Sequence, residues 1–506
     1  MPAKTLMIQG TGSSVGKSVL VTALCRIFKQ EGLKVAPFKA QNMSLNSYVT
    51  ADGGEIGRAQ AVQAEAAGVL PTVEMNPVLL KPEADNRSQI IIRGKVADTV
   101  AAADFSRLKA ELWNTITESM DRLRNVFDLV VIEGAGSPAE VNLKDRDLVN
   151  MKVAMYCNAP VLLAADIDRG GIFASLVGTV ELLEPVERER VKAFIVNKFR
   201  GDASLLMPGL QWLEQRTGVP VAGVIPYFHD IAIAEEDSVT LEKRRALKHR
   251  SDFDLDIAVI ALPHIANFDD FDPLEREPGV RLRYVEGDDD LGNPDLIILP
   301  GTKSTVADLG YLCTAGRDRE VIHRVGQGTP VIGICGGYQM LGSTIHDPDG
   351  VESAAPSTAG LALLPVTSRF LRVKSTHQIR ARVAHSVGIL ARADWAEIRG
   401  YEIHMGQTEG ANLVHPFELI ERSSQACAAR DGSLSHDGNI MGTYIHGLFH
   451  NDRLRHAILT ELASRKGRAF SPSTVNVSID DQYDRLAAHV KSNLNMGLIR
   501  RLIKSR

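Results

Sequence analysis

Short apolar runs recur along the chain, and most of them end in a glycine-rich or polar turn. Residues 5–9 form the first. The loop Gly10-Thr-Gly-Ser-Ser-Val-Gly-Lys-Ser18 follows at once, and apolar periodicity over 19–28 predicts a helix. Further runs at 35–38, 127–133, 161–165, 194–197 and 219–225 read as buried strands, and a second series begins at 256–262 and continues at 296–299, 331–334 and 398–403. Repeated strand–helix units predict an α/β chain of two doubly wound domains on mostly parallel sheets. Residues 235–252 are charge-rich and lack apolar periodicity. The expected division is 1–235, a linker over 236–252, and 253–506, the last with a core to 449 and a helical tail over 450–506 whose basic end faces solvent.

Composition changes this picture little. The chain has 506 residues, too many for one core, with 24% charged residues and a net charge of -5. Neither a basic footprint for nucleic acid nor an acidic tail is present. Cys25, Cys157, Cys313, Cys335 and Cys427 are scattered, odd in number and without zinc-type spacing, which suits a reducing compartment and points to the cytoplasm. No signal-peptide pattern and no apolar run of membrane-spanning length is seen.

Ligand sites in open α/β sheets lie beyond the carboxyl ends of the strands, and polar residues gather there. In the first loop the backbone at Gly10, Thr11, Gly12, Ser13 and Gly16 is suited to cradle phosphates. Lys17 would reach the β and γ oxygens of ATP, and Ser18 would hold Mg²⁺. Glu133, at the end of its strand, is the second Mg²⁺ candidate, and Asn197 a candidate reader of the adenine edge. The spacing departs from the usual phosphate loop, because Thr11 stands where the first Gly belongs.

The run Val331-Ile-Gly-Ile-Cys-Gly-Gly-Tyr-Gln-Met-Leu-Gly342 predicts a strand that turns sharply into a helix and lifts the Cys335 thiol above the sheet. The N–H of Gly336 is placed to face an oxyanion, and the helix N-terminus favours a thiolate. A second candidate, His446, sits in Gly442-Thr-Tyr-Ile-His-Gly-Leu-Phe449, far from Cys335 in sequence, as catalytic partners joined by folding often are.

These motifs resemble known families. The Cys335 segment is similar to the nucleophile segment of class I glutamine amidotransferases, which have a flavodoxin-like sheet. That resemblance implies attack of Cys335 on the L-glutamine side-chain amide, a second oxyanion N–H from Gly301 or Thr302, and Gln339 beside the substrate. Many such enzymes carry a Glu two residues after the His; here that position is Leu448, so only a Cys–His dyad is expected, with the orienting acid missing or supplied elsewhere. The phosphate loop resembles the dethiobiotin synthetase branch. ParA/MinD-like switches share that branch but carry a signature Lys where this chain has Gly12.

The stretch 41–60, with Ser88-Gln-Ile-Ile-Ile-Arg-Gly94, closely resembles the cobyric acid synthases. The resemblance implies ATP- and glutamine-dependent amidation of the b, d, e and g carboxylates of adenosylcobyrinic acid a,c-diamide. It makes Lys39, Gln41, Asn42, Asn46, Asp52, Arg58, Asp166, Asp168 and Arg169 candidates for the corrinoid side. Two other readings stay open: a cobyrinic acid a,c-diamide synthase, and a nucleotide switch with an inactive amidotransferase module. Nucleic acid and membrane are not expected partners, and the oligomeric state, a homo-oligomer included, is open.

Overall fold

The computed structural model describes residues 2–83, 87–101, 108–228, 253–471 and 478–504. The linker expected at 236–252 lies outside the described residues.

The first half is built on a six-stranded sheet. Its elements are β1 (Lys4–Gly10), α1 (Lys17–Gln30), β2 (Val35–Phe38), α2 (Arg58–Ala67), β3 (Leu129–Glu133), β4 (Val161–Asp166), β5 (Val191–Phe199) and β6 (Val221–Pro226). The strand order is β6-β5-β4-β1-β3-β2, and every pairing is parallel. Strands β1 to β4 are buried almost throughout, which is why they read as near-continuous apolar runs. The switch in strand order leaves the carboxyl ends of β1, β3 and β4 open to the phosphate loop.

The region after β2 is more structured than its polarity suggests. Strand Gln41–Met43 pairs with Val78–Pro82, followed by Arg87–Ile92 and Lys95–Ala101, to make a separate four-stranded sheet. Ser47–Val49 and Glu55–Gly57 form a two-stranded ribbon that leads into α2.

The second half contains β7 (Leu255–Ile260), β8 (Val280–Val285), β9 (Leu296–Leu299), β10 (Val331–Ile334), α3 (Gly336–Leu341), β11 (Thr367–Val383), β12 (Glu397–Glu409), β13 (Ser433–Leu434), β14 (Ile440–Thr443) and β15 (Ile445–His446). One sheet runs β8-β7-β9-β10-β14-β13, parallel except for the short β13–β14 pair. A second, mainly antiparallel sheet is centred on the long β11–β12 pair and carries β15 at its edge.

The tail corrects the expected division. Helix α4 (Asp452–Arg465), which that division put in the tail, packs in the core of the second half. Helices α5 (Ile479–Ser492) and α6 (Met496–Lys504) instead cross back onto the first half. Tyr483, Leu486, Ala487 and Val490 share a core with Leu20, Leu24 and Ile27 of α1, and Arg26 pairs with Asp480 and Asp484 at 2.8 and 2.6 Å. The basic end only partly faces solvent, because Arg500 pairs with Glu31. Among the described residues no helix is long and apolar enough to cross a membrane.

Candidate active site

Beyond β1 the phosphate loop curls over the sheet. Lys17 is buried, and its ammonium donates to the carbonyls of Gly12 and Gly136 at 2.8 and 3.1 Å. Ser18 Oγ donates to Glu133 Oε1 at 2.9 Å, so the two Mg²⁺ candidates meet. Glu133 is buried, which alone would raise its pKa. The Lys39 ammonium at 2.9 Å, with hydrogen bonds from Gln63 and Ser18, holds it below the ordinary carboxylate range.

Several of the candidate ligand contacts are also engaged within the protein. The Asn197 amide donates to the Val15 carbonyl at 2.8 Å, so it braces the loop from below. The Asp166 carboxylate accepts from Lys198 Nζ at 2.8 Å, and that ammonium also holds the Ser14 carbonyl. Lys39 lies on Glu133, and Asn42 donates to Gln60. Asn46 and Arg58 turn toward the second half: Asn46 Oδ1 accepts the Phe268 N–H, and Arg58 Nε lies 3.1 Å from Asp269 Oδ2. Gln41, Asp52, Asp168 and Arg169 keep side chains at or near the surface.

In the second half, β10 delivers Cys335 on a sharp turn into α3. Its backbone, φ 52° and ψ −108°, lies where L-residues are strained. Gly337 makes the turn possible, because a Cβ there would stand 2.0 Å from the Leu299 carbonyl oxygen. A Cβ on Gly336 would lie 3.3 Å from the Thr302 nitrogen, so the oxyanion candidates are neighbours. Gln339 is buried between the Thr305 and Tyr444 hydroxyls, at 3.1 and 3.2 Å. Cys335, Gln339, Gly301, Thr302 and His446 line one pocket, whose far side carries Lys374 and, from the first half, Lys81.

The missing acid is Asp270. His446 Nδ1 meets Asp270 Oδ2 at 2.7 Å, and Asp270 Oδ1 accepts the Gly447 N–H at 2.7 Å. Both side chains are buried. Burial alone would push the imidazole pKa down. The Asp270 carboxylate reverses this, with help from Cys335, and raises it to about 10. Asp270 holds the Nδ1 proton, and at neutral pH the second proton sits on Nε2, the nitrogen left to exchange it with the Cys335 sulfur. Tyr401 stacks on the ring, 5.2 Å between centroids, and the Ile403 carbonyl receives the Cys335 Sγ at 3.6 Å. The signal for Asp270 was present but faint: Phe268-Asp-Asp-Phe271 sets two acids between aromatics just beyond β7.

A strand–loop–helix phosphate site and a Cys–His–Asp site on two α/β sheets define a glutamine-dependent amidoligase. Residues 6–241 match the CobQ/CobB/MinD/ParA nucleotide binding domain, and residues 256–454 match the CobB/CobQ-like glutamine amidotransferase domain. The chain is 54% identical to a cobyric acid synthase of Sorangium cellulosum over 99% of both chains. It is 51% identical to that of Desulforamulus reducens and 50% identical to that of Dehalococcoides mccartyi, each over 98% of this chain and 97% of the relative. The chain belongs to the cobyric acid synthase family, whose activity uses ATP and glutamine.

Proposed function

We propose that the protein amidates the b, d, e and g carboxylates of adenosylcobyrinic acid a,c-diamide, taking nitrogen from L-glutamine and driving force from ATP. The observation that carries the glutaminase half is the buried Asp270–His446 pair beside Cys335. With its proton already held on His446 Nε2, Cys335 Sγ attacks the side-chain carbonyl of glutamine. The N–H groups of Gly336 and of Gly301 or Thr302 receive the oxyanion. Collapse returns the proton to the departing ammonia, and water then releases glutamate from the thioester. Gln339 orients the substrate amide. The buried Lys81 and the largely buried side chain of Lys374 give the pocket a charged end suited to the zwitterionic head of glutamine.

A carboxylate does not react with ammonia. Transfer of the γ-phosphoryl group of ATP to it gives ADP and an acyl phosphate, and ammonia displaces phosphate to leave the amide. Lys17 and the loop backbone hold the phosphates. Ser18 and Glu133 are hard oxygen donors of the kind Mg²⁺ takes while keeping water or phosphate on its other positions, and the ion would neutralise charge on the β and γ oxygens. Gln41, Asp52, Asp168 and Arg169 remain the candidates for the corrinoid side. The reading places the enzyme in the cytoplasm, with no nucleic-acid partner.

Cys335→Ser tests the division of labour. It should abolish amidation driven by glutamine and leave amidation driven by ammonium salts within about threefold of wild type, with products counted by mass. Loss of both activities would refute two separate sites.

A further inference from the structure

The segment 46–58 and α2 touch both reaction centres. At one end, Asn46 and Ser47 grip the turn that carries the triad acid: Asn46 Oδ1 accepts from Phe268 N at 3.2 Å, and Ser47 N donates to Asn267 Oδ1 at 2.8 Å. Arg58, the first residue of α2, pairs with Asp269, the immediate neighbour of Asp270. Val49 packs on Tyr401 and Ile403, the residues that stack on His446 and receive the Cys335 thiol. At the other end of the same helix, Gln63 Nε2 donates to Glu133 Oε2 at 2.5 Å, beside Ser18 and Lys39. Five residues of α-helix, about 7.5 Å of rise, separate Arg58 from Gln63.

The contacts along this lever are incomplete. Arg58 Nε and Asp269 Oδ1 are buried and lack a hydrogen-bond partner among the described residues, although the two side chains are paired by charge. Gln60 Nε2 and Gln63 Oε1, on the same helix, are also buried without one. Buried polar atoms are rarely left so, and four on one short path mark a place where a small shift could change partners.

We propose that α2 couples the nucleotide site to the glutaminase site, with Arg58 as a positioning residue that acts through Asp269 on Asp270. The coupling rests on the amidoligase reading. A change at Glu133 moves Gln63, the helix carries the shift to Arg58, and the Asp269–Asp270 turn tightens against His446. Ammonia is then released fastest when an acceptor can be activated.

Glutamate release by the full chain is measured with glutamine alone and with adenosine 5′-(β,γ-imido)triphosphate and Mg²⁺. The wild type should respond to the nucleotide at least fivefold, within the usual span of coupling between sites. In Arg58→Ala the response should fall to within twofold of none, with kcat for glutamine lowered and KM unchanged, and Arg58→Lys should restore part of it. Asp269→Asn should lose the response in the same way while keeping ammonia-driven amidation within twofold of wild type. The rate of Cys335 alkylation by iodoacetamide, followed by peptide mass, should respond to the nucleotide in wild type and not in Arg58→Ala. If Arg58→Ala does not fold, Arg58→Lys and Asp269→Asn carry the comparison. A wild type indifferent to nucleotide, or an Arg58→Ala variant with the full response, overturns the coupling. Failure of the wild type to amidate with either nitrogen source overturns the amidoligase reading itself, and the coupling with it.

Discussion

Replacing Asp270 with Asn isolates the part of the glutaminase site that depends on where a proton sits. Both oxygens of Asp270 accept, one from His446 Nδ1 and one from Gly447 N, each at 2.7 Å. An amide offers a single acceptor. If that oxygen stays with Gly447, the NH₂ group faces Nδ1 and drives the ring proton to Nε2, the atom that must receive the Cys335 proton. If the amide turns over, two donors face each other in a buried site. The carboxylate raises the imidazole pKa from 6.5 to about 10 against the effect of burial. That difference of about 3.5 pH units corresponds to roughly 5 kcal/mol at 1.36 kcal/mol per unit, a ceiling for what the substitution removes from the protonated ring. If about half of this is felt in the transition state, kcat falls about a hundredfold, the lower end for loss of a positioned base. The expected result is a hundredfold or greater fall in glutamine-driven kcat, a KM for glutamine within about threefold, and unchanged ammonia-driven amidation. The same pair sets a stability trend. A folded-state pKa above the unfolded value stabilises the protein fully below about pH 6.5, and this contribution is lost as pH rises through about 10. The Asn variant should lose that slope in urea titrations across the window. A kcat within fivefold of wild type would refute the triad assignment.

Lys17→Ala should lower amidation by a hundredfold or more with glutamine and ammonia alike, measured as ADP and amide formed, because neither nitrogen source replaces carboxylate activation. Glu133→Gln should do the same and also cost stability, about 3–5 kcal/mol by denaturant titration, since it leaves the buried Lys39 ammonium without its carboxylate. Glu55 joins Lys81 and Lys374 in a buried cluster at the domain join; burial would raise its pKa, but the two ammonium groups hold it at about 2. Its contribution, about 3 kcal/mol, is present above about pH 4.5 and lost as pH falls toward 2, a slope that Glu55→Gln should remove from acid-unfolding curves. Lys374, which shares that one carboxylate with Lys81, is pushed by burial down to about 8 and opposes part of this gain. Gly337→Ala should destabilise by about 1–3 kcal/mol in thermal melts, because the added methyl meets the Leu299 carbonyl at 2.0 Å.

The strands of the first parallel sheet, and β7, β9 and β10 of the second, were legible because buried parallel strands are short unbroken apolar runs closed by turns, and the strand–turn–helix at Cys335 and the phosphate loop had the same local clarity; β8, half-buried with Arg281 and Arg283 among its apolar residues, and β14 were not read. The partners of Arg58, Asn46 and Asp270 were not legible. Each is fixed by a contact with a segment more than a hundred residues away, and a polar residue at a strand end looks alike whether it meets ligand or protein. The face of α5 formed by Tyr483, Leu486, Ala487 and Val490 announces a buried helix, but periodicity carries no information on which core receives it. The antiparallel β11–β12 pair was seen only in part, since β11 alternates buried with exposed or half-buried positions only at its two ends, and its middle, 371–378, is a mostly polar run with no buried residue.

The crossing of α5 and α6 means that the border between halves in space is not a border in sequence. A fragment that stops before β7 would present the bare faces of α1 and β6 to water, where Val490, Leu494 and Ile499 belong. Division of labour between two separate polypeptides would therefore have to hand those last helices to the nucleotide-binding partner, or supply them in trans as a peptide that completes its core. The clasp makes the two activities one folding unit: the half that releases ammonia carries the piece that finishes the half that uses it.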